Sequence, residues 1–123
     1  MTQAINWFEI PVADIERAQA FYENVLDRKL KREEFGGGVL AVFPYAQPAT
    51  GGCLQAGPRR SAQLGSGIRI YLDCMPSIDA ALARVVAAGG TVVEAKSALP
   101  GDMGFIAHMC DTEGNEVGLH SMA

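Results

Sequence analysis

The same cycle of elements is written twice along these 123 residues, and that doubling limits the fold more than any other feature. In the first cycle "INWFEIPV" (5–12) reads as a strand. Asp14 stands where a helix N-cap belongs, and Ile15, Ala18, Tyr22, Val25 and Leu26 then share one helical face. Three short strands follow, "LKREEF" (30–35), "VLAVFP" (39–44) and "GCLQA" (52–56), separated by glycine-rich or proline-containing turns. The second cycle repeats the order. It has a strand "IRIYLD" (68–73), an N-cap at Ser77 and a helix over 78–90 that ends on glycine. A strand "TVVEA" (91–95) and a closing hairpin from 105 to 122 complete it. Superposing Ile15 on Ile78, 63 residues apart, sets Glu16 on Asp79, Ala18 on Ala81 and Ala20 on Ala83. The expectation is an α+β fold of two βαβββ modules, forming cupped mixed sheets around a central cavity. Module one covers about 3–57, a polar linker 58–66 and module two about 67–121. A sheet with one helix has one face left to bury, and a cavity between two such faces is a natural ligand site.

Composition narrows the partners. Fourteen acidic residues against ten basic ones leave a net charge of −4. Nucleic acid and anionic membrane surfaces reward clustered Lys and Arg, so neither is expected as a partner. No run of 18 apolar residues suggests a membrane span, and "MTQAINWFEI" is not a signal peptide. The expectation is a cytoplasmic protein. Cys53, Cys74 and Cys110 are odd in number and lack CxxC spacing, so they read as reduced thiols. The Gly-rich "FGGGV" has no helix after it and does not read as a phosphate loop.

Three stretches resemble the vicinal oxygen chelate superfamily of glyoxalases, extradiol dioxygenases, fosfomycin-resistance proteins and bleomycin-binding proteins. They are "PVADIERAQAFYENVL", "IDAALARVVAAGGTVV" and "DTEGNEVGLHS". The resemblance spans nearly the whole chain and implies the paired-module fold and a homodimer. It also implies one divalent metal held by His and Glu on inner strands. Carried over residue by residue, the four ligand positions fall on Trp7, on Cys53 or Gln55, on Ile70 and on Gly118. The 63-residue offset pairs Trp7 with Ile70 and Gln55 with Gly118. Trp, Ile and Gly side chains cannot coordinate Mg²⁺, Zn²⁺ or Fe²⁺. The usual metal site is therefore expected to be missing.

Strand alternation places Glu9 on the face of Trp7 and His120 on the face of Gly118. The resemblance puts His108, three residues before Asp111, on the cavity wall, and a register setting it across from His120 is plausible. Three readings stay open. Glu9, His108 and His120 could hold a relocated Zn, Fe, Mn or Ni ion and support a lyase, isomerase or dioxygenase. Without metal or other cofactor, the same residues could act as an acid–base pair or orient a small, partly apolar ligand. They could also be structural. The ligand-binding set expected for the second reading is Trp7, Glu9, Cys53, Gln55, Ile70, His108, Gly118 and His120, in the manner of the bleomycin-binding relatives.

Overall fold

A computed structural model describes residues 7–35, 37–46, 49–57 and 69–123. The expected linker, 58–66, lies outside the described residues. The first module runs β1 (Trp7–Pro11), α1 (Ile15–Leu26), β2 (Lys31–Phe35), β3 (Gly38–Val42) and β4 (Gly51–Ala56). The second runs β5 (Tyr71–Asp73), α2 (Ile78–Ala87), β6 (Thr91–Ala98), β7 (Phe105–Cys110) and β8 (Glu116–Ser121). Each module forms one four-stranded mixed sheet, ordered β1-β4-β3-β2 and β5-β8-β7-β6. β1 lies parallel to β4 and β5 to β8, while the remaining neighbours are antiparallel.

The local causes are those visible in the sequence. Asp14 accepts a hydrogen bond from the Arg17 amide at 3.1 Å, and Ser77 accepts one from the Ala80 amide at 3.2 Å. Each supplies one of the acceptors that the first turn of its helix lacks. α2 stops at Ala87, three residues short of the expected end. Gly89 lies just beyond it at φ +101°, a left-handed conformation that a helix cannot continue through.

One apolar core serves both modules. Phe21, Tyr22 and Val25 of α1, Ile78, Ala81 and Val85 of α2, and Leu54, Met109 and Leu119 of the strands are buried in a single cluster. α1 packs on α2, and Arg84 Nε donates to the Val25 carbonyl at 2.9 Å. The sheet faces turned away from the helices carry Trp7, which is 37% exposed, and Tyr71, which is 46% exposed.

The register corrects the equivalences between modules. The Val12 amide donates to the Gln55 carbonyl at 3.0 Å, and the Cys74 amide to the His120 carbonyl at 2.9 Å. These are one bond made twice, so 62 residues separate the first strands and 65 the last ones. An offset of 63 holds only between the N-caps Asp14 and Ser77. One extra residue lies in the turn through Met75 and Pro76, and two more lie between α2 and β8. A slip of one residue reverses a strand's facing. The counterpart of Glu9 is therefore Tyr71, and that of Gln55 is His120; Trp7 does not match Ile70, nor Gln55 Gly118.

Candidate functional site: a cleft between the modules

Alternation on β1 sends Ile10 and the following Val12 into the core and Trp7 and Glu9 outward. On β5 the buried Leu72 likewise leaves Tyr71 and Asp73 outward. Between the β1 and β5 ends lies a cleft of about 1060 Å³. Its apolar wall is built by Phe8, Leu26, Phe43, Ile70 and Leu72. Its rim carries Tyr45 and Tyr71, with Arg28, Arg69 and Asp73 as charged groups. That volume is at the upper end of small-molecule sites, and the mixture of many apolar and few charged groups is typical of them.

Three of the lining aromatics rest on glycines. A Cβ at Gly52 would stand 2.3 Å from the Phe8 ring, one at Gly118 2.3 Å from the Tyr71 ring, and one at Gly51 2.9 Å from the Tyr45 ring. A glycine inside a strand often marks such a close approach. The rings also pack on their neighbours: Phe8 and Phe43 are 5.6 Å apart between centroids, and Tyr45 meets Trp7, outside the cleft, edge to face at 5.8 Å. Tyr71 was not among the sequence-derived site residues, although Gly118 within a strand was the available signal.

The expected residues distribute over three environments. Ile70 lines the cleft but packs on its core side. Cys53 is fully buried and pairs with Glu9 in the β1–β4 register, and Gln55 pairs with Pro11. His108 and His120 share the outer face of the second sheet. They are diagonal neighbours rather than a cross-strand pair, since His108 lies opposite Gly118 and His120 opposite Ile106. Tyr71, lying over Gly118, brings its hydroxyl to 2.8 Å from His108 Nε2. His120 Nε2 donates to the Met103 carbonyl at 2.8 Å. Among the described residues of that set, only Ile70 contributes to the cleft wall.

A metal at the superfamily's usual positions finds no donors at Trp7, Ile70 or Gly118, and the corrected counterparts do not supply a full set. Among the described residues no group of three His, Cys, Asp or Glu side chains is arranged to hold an ion. Both histidine Nε2 atoms are already engaged in hydrogen bonds. Among the described residues, the side chains at these positions do not fit the superfamily's divalent-metal set. The thiols of the buried Cys74 and the partly buried Cys110 are poor nucleophiles as well: burial pushes both upward.

The hairpin turn that carried much of the resemblance is a joint between modules. Tyr22, buried, donates to Asp111 Oδ2 at 2.8 Å. Asp111 Oδ1 accepts from the amides of Glu113 and Asn115, both at 2.8 Å. Asn115 Nδ2 donates to the Pro11 carbonyl at 2.8 Å and so ties the turn to β1. Burial, then the facing Asp111 carboxylate, push the Tyr22 hydroxyl well above its usual range, so it stays a donor.

A doubled βαβββ chain with this sheet order defines a class of paired-module proteins. The family model of the Glyoxalase/Bleomycin resistance protein/Dioxygenase superfamily matches residues 4–119, and the chain belongs to that superfamily. Among solved structures, a point variant of glyoxalase I from Zea mays aligns over 94% of this chain and 45% of its own, with 23% identity and a TM-score of 0.74. A glyoxalase/bleomycin resistance protein from Albidiferax ferrireducens aligns over 97% and 98%, with 20% identity and a TM-score of 0.71. A glyoxylase/bleomycin resistance protein/dioxygenase domain from Frankia aligns over 98% and 93%, with 16% identity and a TM-score of 0.72. The chain thus spans less than half of the maize protein's length and nearly all of the two bacterial ones. No curated protein sequence matches it. Among the described residues no helix is long and apolar enough to cross a membrane.

Proposed function

We propose that this chain binds a small, partly apolar molecule in the cleft between its modules, without the divalent metal usual in the superfamily. The observation that carries the reading is the cleft itself, walled by Phe8, Phe43, Leu26 and Leu72 and rimmed by Tyr45 and Tyr71. Aromatic faces favour planar ligands by about 0.5–1.5 kcal/mol per well-stacked ring. Trp7, Glu9, His108 and His120 face outward beside it, with Tyr71 as the link between cleft and histidines. The name glyoxalase/bleomycin resistance protein, carried by the similar protein from Albidiferax ferrireducens, is compatible with ligand capture.

Two measurements test the reading. A fragment screen following Trp7 fluorescence should find planar apolar ligands, because Trp7 touches Tyr45 at the rim. Chelator should leave the melting temperature unchanged, and Mn²⁺, Ni²⁺ or Zn²⁺ should raise it little. An ion at a hundred times its dissociation constant would add about 2.7 kcal/mol, a shift too large to miss. Such a shift would replace this reading with a metal-dependent lyase, isomerase or dioxygenase.

The chain forms a C2 homodimer through the edge of its second sheet. Every residue of β6, the edge strand of that sheet, is exposed. An open edge strand is what an isologous partner buries. Light scattering at micromolar concentration should give twice the 13.1 kDa chain mass. A single monomeric species removes the dimer from the proposal.

A further inference from the structure

We infer that the ligand of this cleft is a planar aromatic anion, a carboxylate in the simplest case, with its charged group on Arg28. The inference rests on the reading of the cleft as a ligand site and names the chemistry that the site selects.

Among the described residues three charged side chains line the cleft, and they are not equivalent. Arg69 is paired with Glu116. Asp73 keeps its charge, but its carboxylate serves its own turn, Oδ1 accepting from the Met75 amide at 2.9 Å. Arg28 differs: its Nη1 donates to the Asp73 backbone carbonyl at 2.7 Å, a neutral acceptor. One of five guanidinium donors is used there, and that bond holds the group in place without cancelling its charge. The contact also fixes where the guanidinium stands, because it joins the end of α1 to β5. Its backbone is held too. Asp27 caps α1 at φ 55°, and the Arg28 amide donates to the Glu23 carbonyl at 3.2 Å.

Around this cation the wall is apolar. Leu26, Phe8, Phe43 and Leu72 offer no side-chain hydrogen bond, so this part of the wall suits a ligand's apolar body and leaves its charged group to Arg28. A carboxylate matches a guanidinium in shape and accepts two parallel hydrogen bonds from it. A flat hydrocarbon body can lie against the wall that the packed Phe8 and Phe43 rings form, with Tyr71 at the rim. A sugar-like polyol leaves its hydroxyls unpaired against the apolar wall.

The test is calorimetric titration of the full chain with 1-naphthoate and with 1-naphthamide, its neutral isostere. Hydrogen bonds to a charged group are worth enough to expect the acid to bind at least about tenfold more tightly. The preference should shrink as salt is raised. It should vanish in Arg28→Gln and persist in Arg28→Lys, which keeps the charge. Arg28 also bridges two elements, so both variants are checked by their melting curves, and the lysine variant keeps the test valid if the glutamine variant unfolds. Equal binding of acid and amide by the unaltered protein overturns the anion inference and leaves the small-molecule reading standing. A preference that survives in a folded Arg28→Gln overturns the assignment to Arg28. Failure of both compounds to bind at millimolar concentration overturns the cleft reading itself, and this inference with it.

Discussion

Replacing Glu113 with alanine is expected to cost about 2–3 kcal/mol of stability, although the residue lies in a hairpin turn. Its side chain is fully buried, and it accepts from Arg17 Nε at 2.6 Å and Nη2 at 2.9 Å. It also accepts from the amides of Ala13 at 2.9 Å and Asp14 at 3.0 Å, just ahead of α1. One carboxylate therefore pins the second module's turn to the start of the first module's helix. The Arg17 hydrogen bonds, opposed by burial and aided by the two amides and Thr112, hold its pKa down to about 2. The folded value lies below the unfolded one of about 4.3, so the contribution is complete above pH 5 and is lost as the pH falls toward 2. Arg17 is half exposed, so solvent screens part of the pair and the lower half of the range is the safer expectation. Melting curves between pH 7 and pH 2.5 check both points. The unaltered protein should lose stability steeply below pH 5, and Glu113→Gln should start lower and fall less. Parallel pH curves for the two proteins would show that the titrating group lies elsewhere.

The same residue shows what a sequence of this kind discloses. Asp14 and Ser77 were legible as helix starts because capping is local, decided within three residues. The doubled βαβββ order was legible for a similar reason, since each element announces itself by its own periodicity. The Asp111-to-Asn115 turn was legible as a mark of kinship. Its work as a joint was not, because its partners Tyr22, Arg17 and Pro11 stand about ninety to a hundred residues away in the chain. The sheet facings failed at one step. An offset anchored on the N-caps ignores the extra residue at Met75–Pro76, and one residue is enough to exchange Tyr71 for Ile70 on a strand of period two. Core parity alone, Leu72 and Cys74 inward, would have turned Tyr71 outward. The cleft was beyond reach, since its walls come from β1, the β3–β4 loop, the end of α1 and β5.

Valine at Gly52 and valine at Gly118 are expected to have opposite consequences, though both glycines seat an aromatic ring that borders the cleft. At Gly52 the ring is Phe8, on the core side of β1 and against Phe43, which is 7% exposed. A side chain there drives Phe8 into packed neighbours, and overpacking of this kind costs about 1–3 kcal/mol. At Gly118 the ring is Tyr71, on the outer face and 46% exposed. It can swing into water, and the strand gains from valine over glycine, so the change in stability should stay below about 1 kcal/mol. Binding should follow the reverse order. Gly118→Val removes Tyr71 from the rim and breaks its 2.8 Å contact with His108, so the ligand loses a stacking face and affinity falls about tenfold. Tyr71→Phe keeps the ring in place and should retain most of that affinity, which separates the stacking face from the hydroxyl. Melting curves of the three variants, paired with titration of whichever aromatic ligand the unaltered protein binds, decide the matter. A Gly118→Val protein that melts normally and binds as before would show that Tyr71 takes no part in the site.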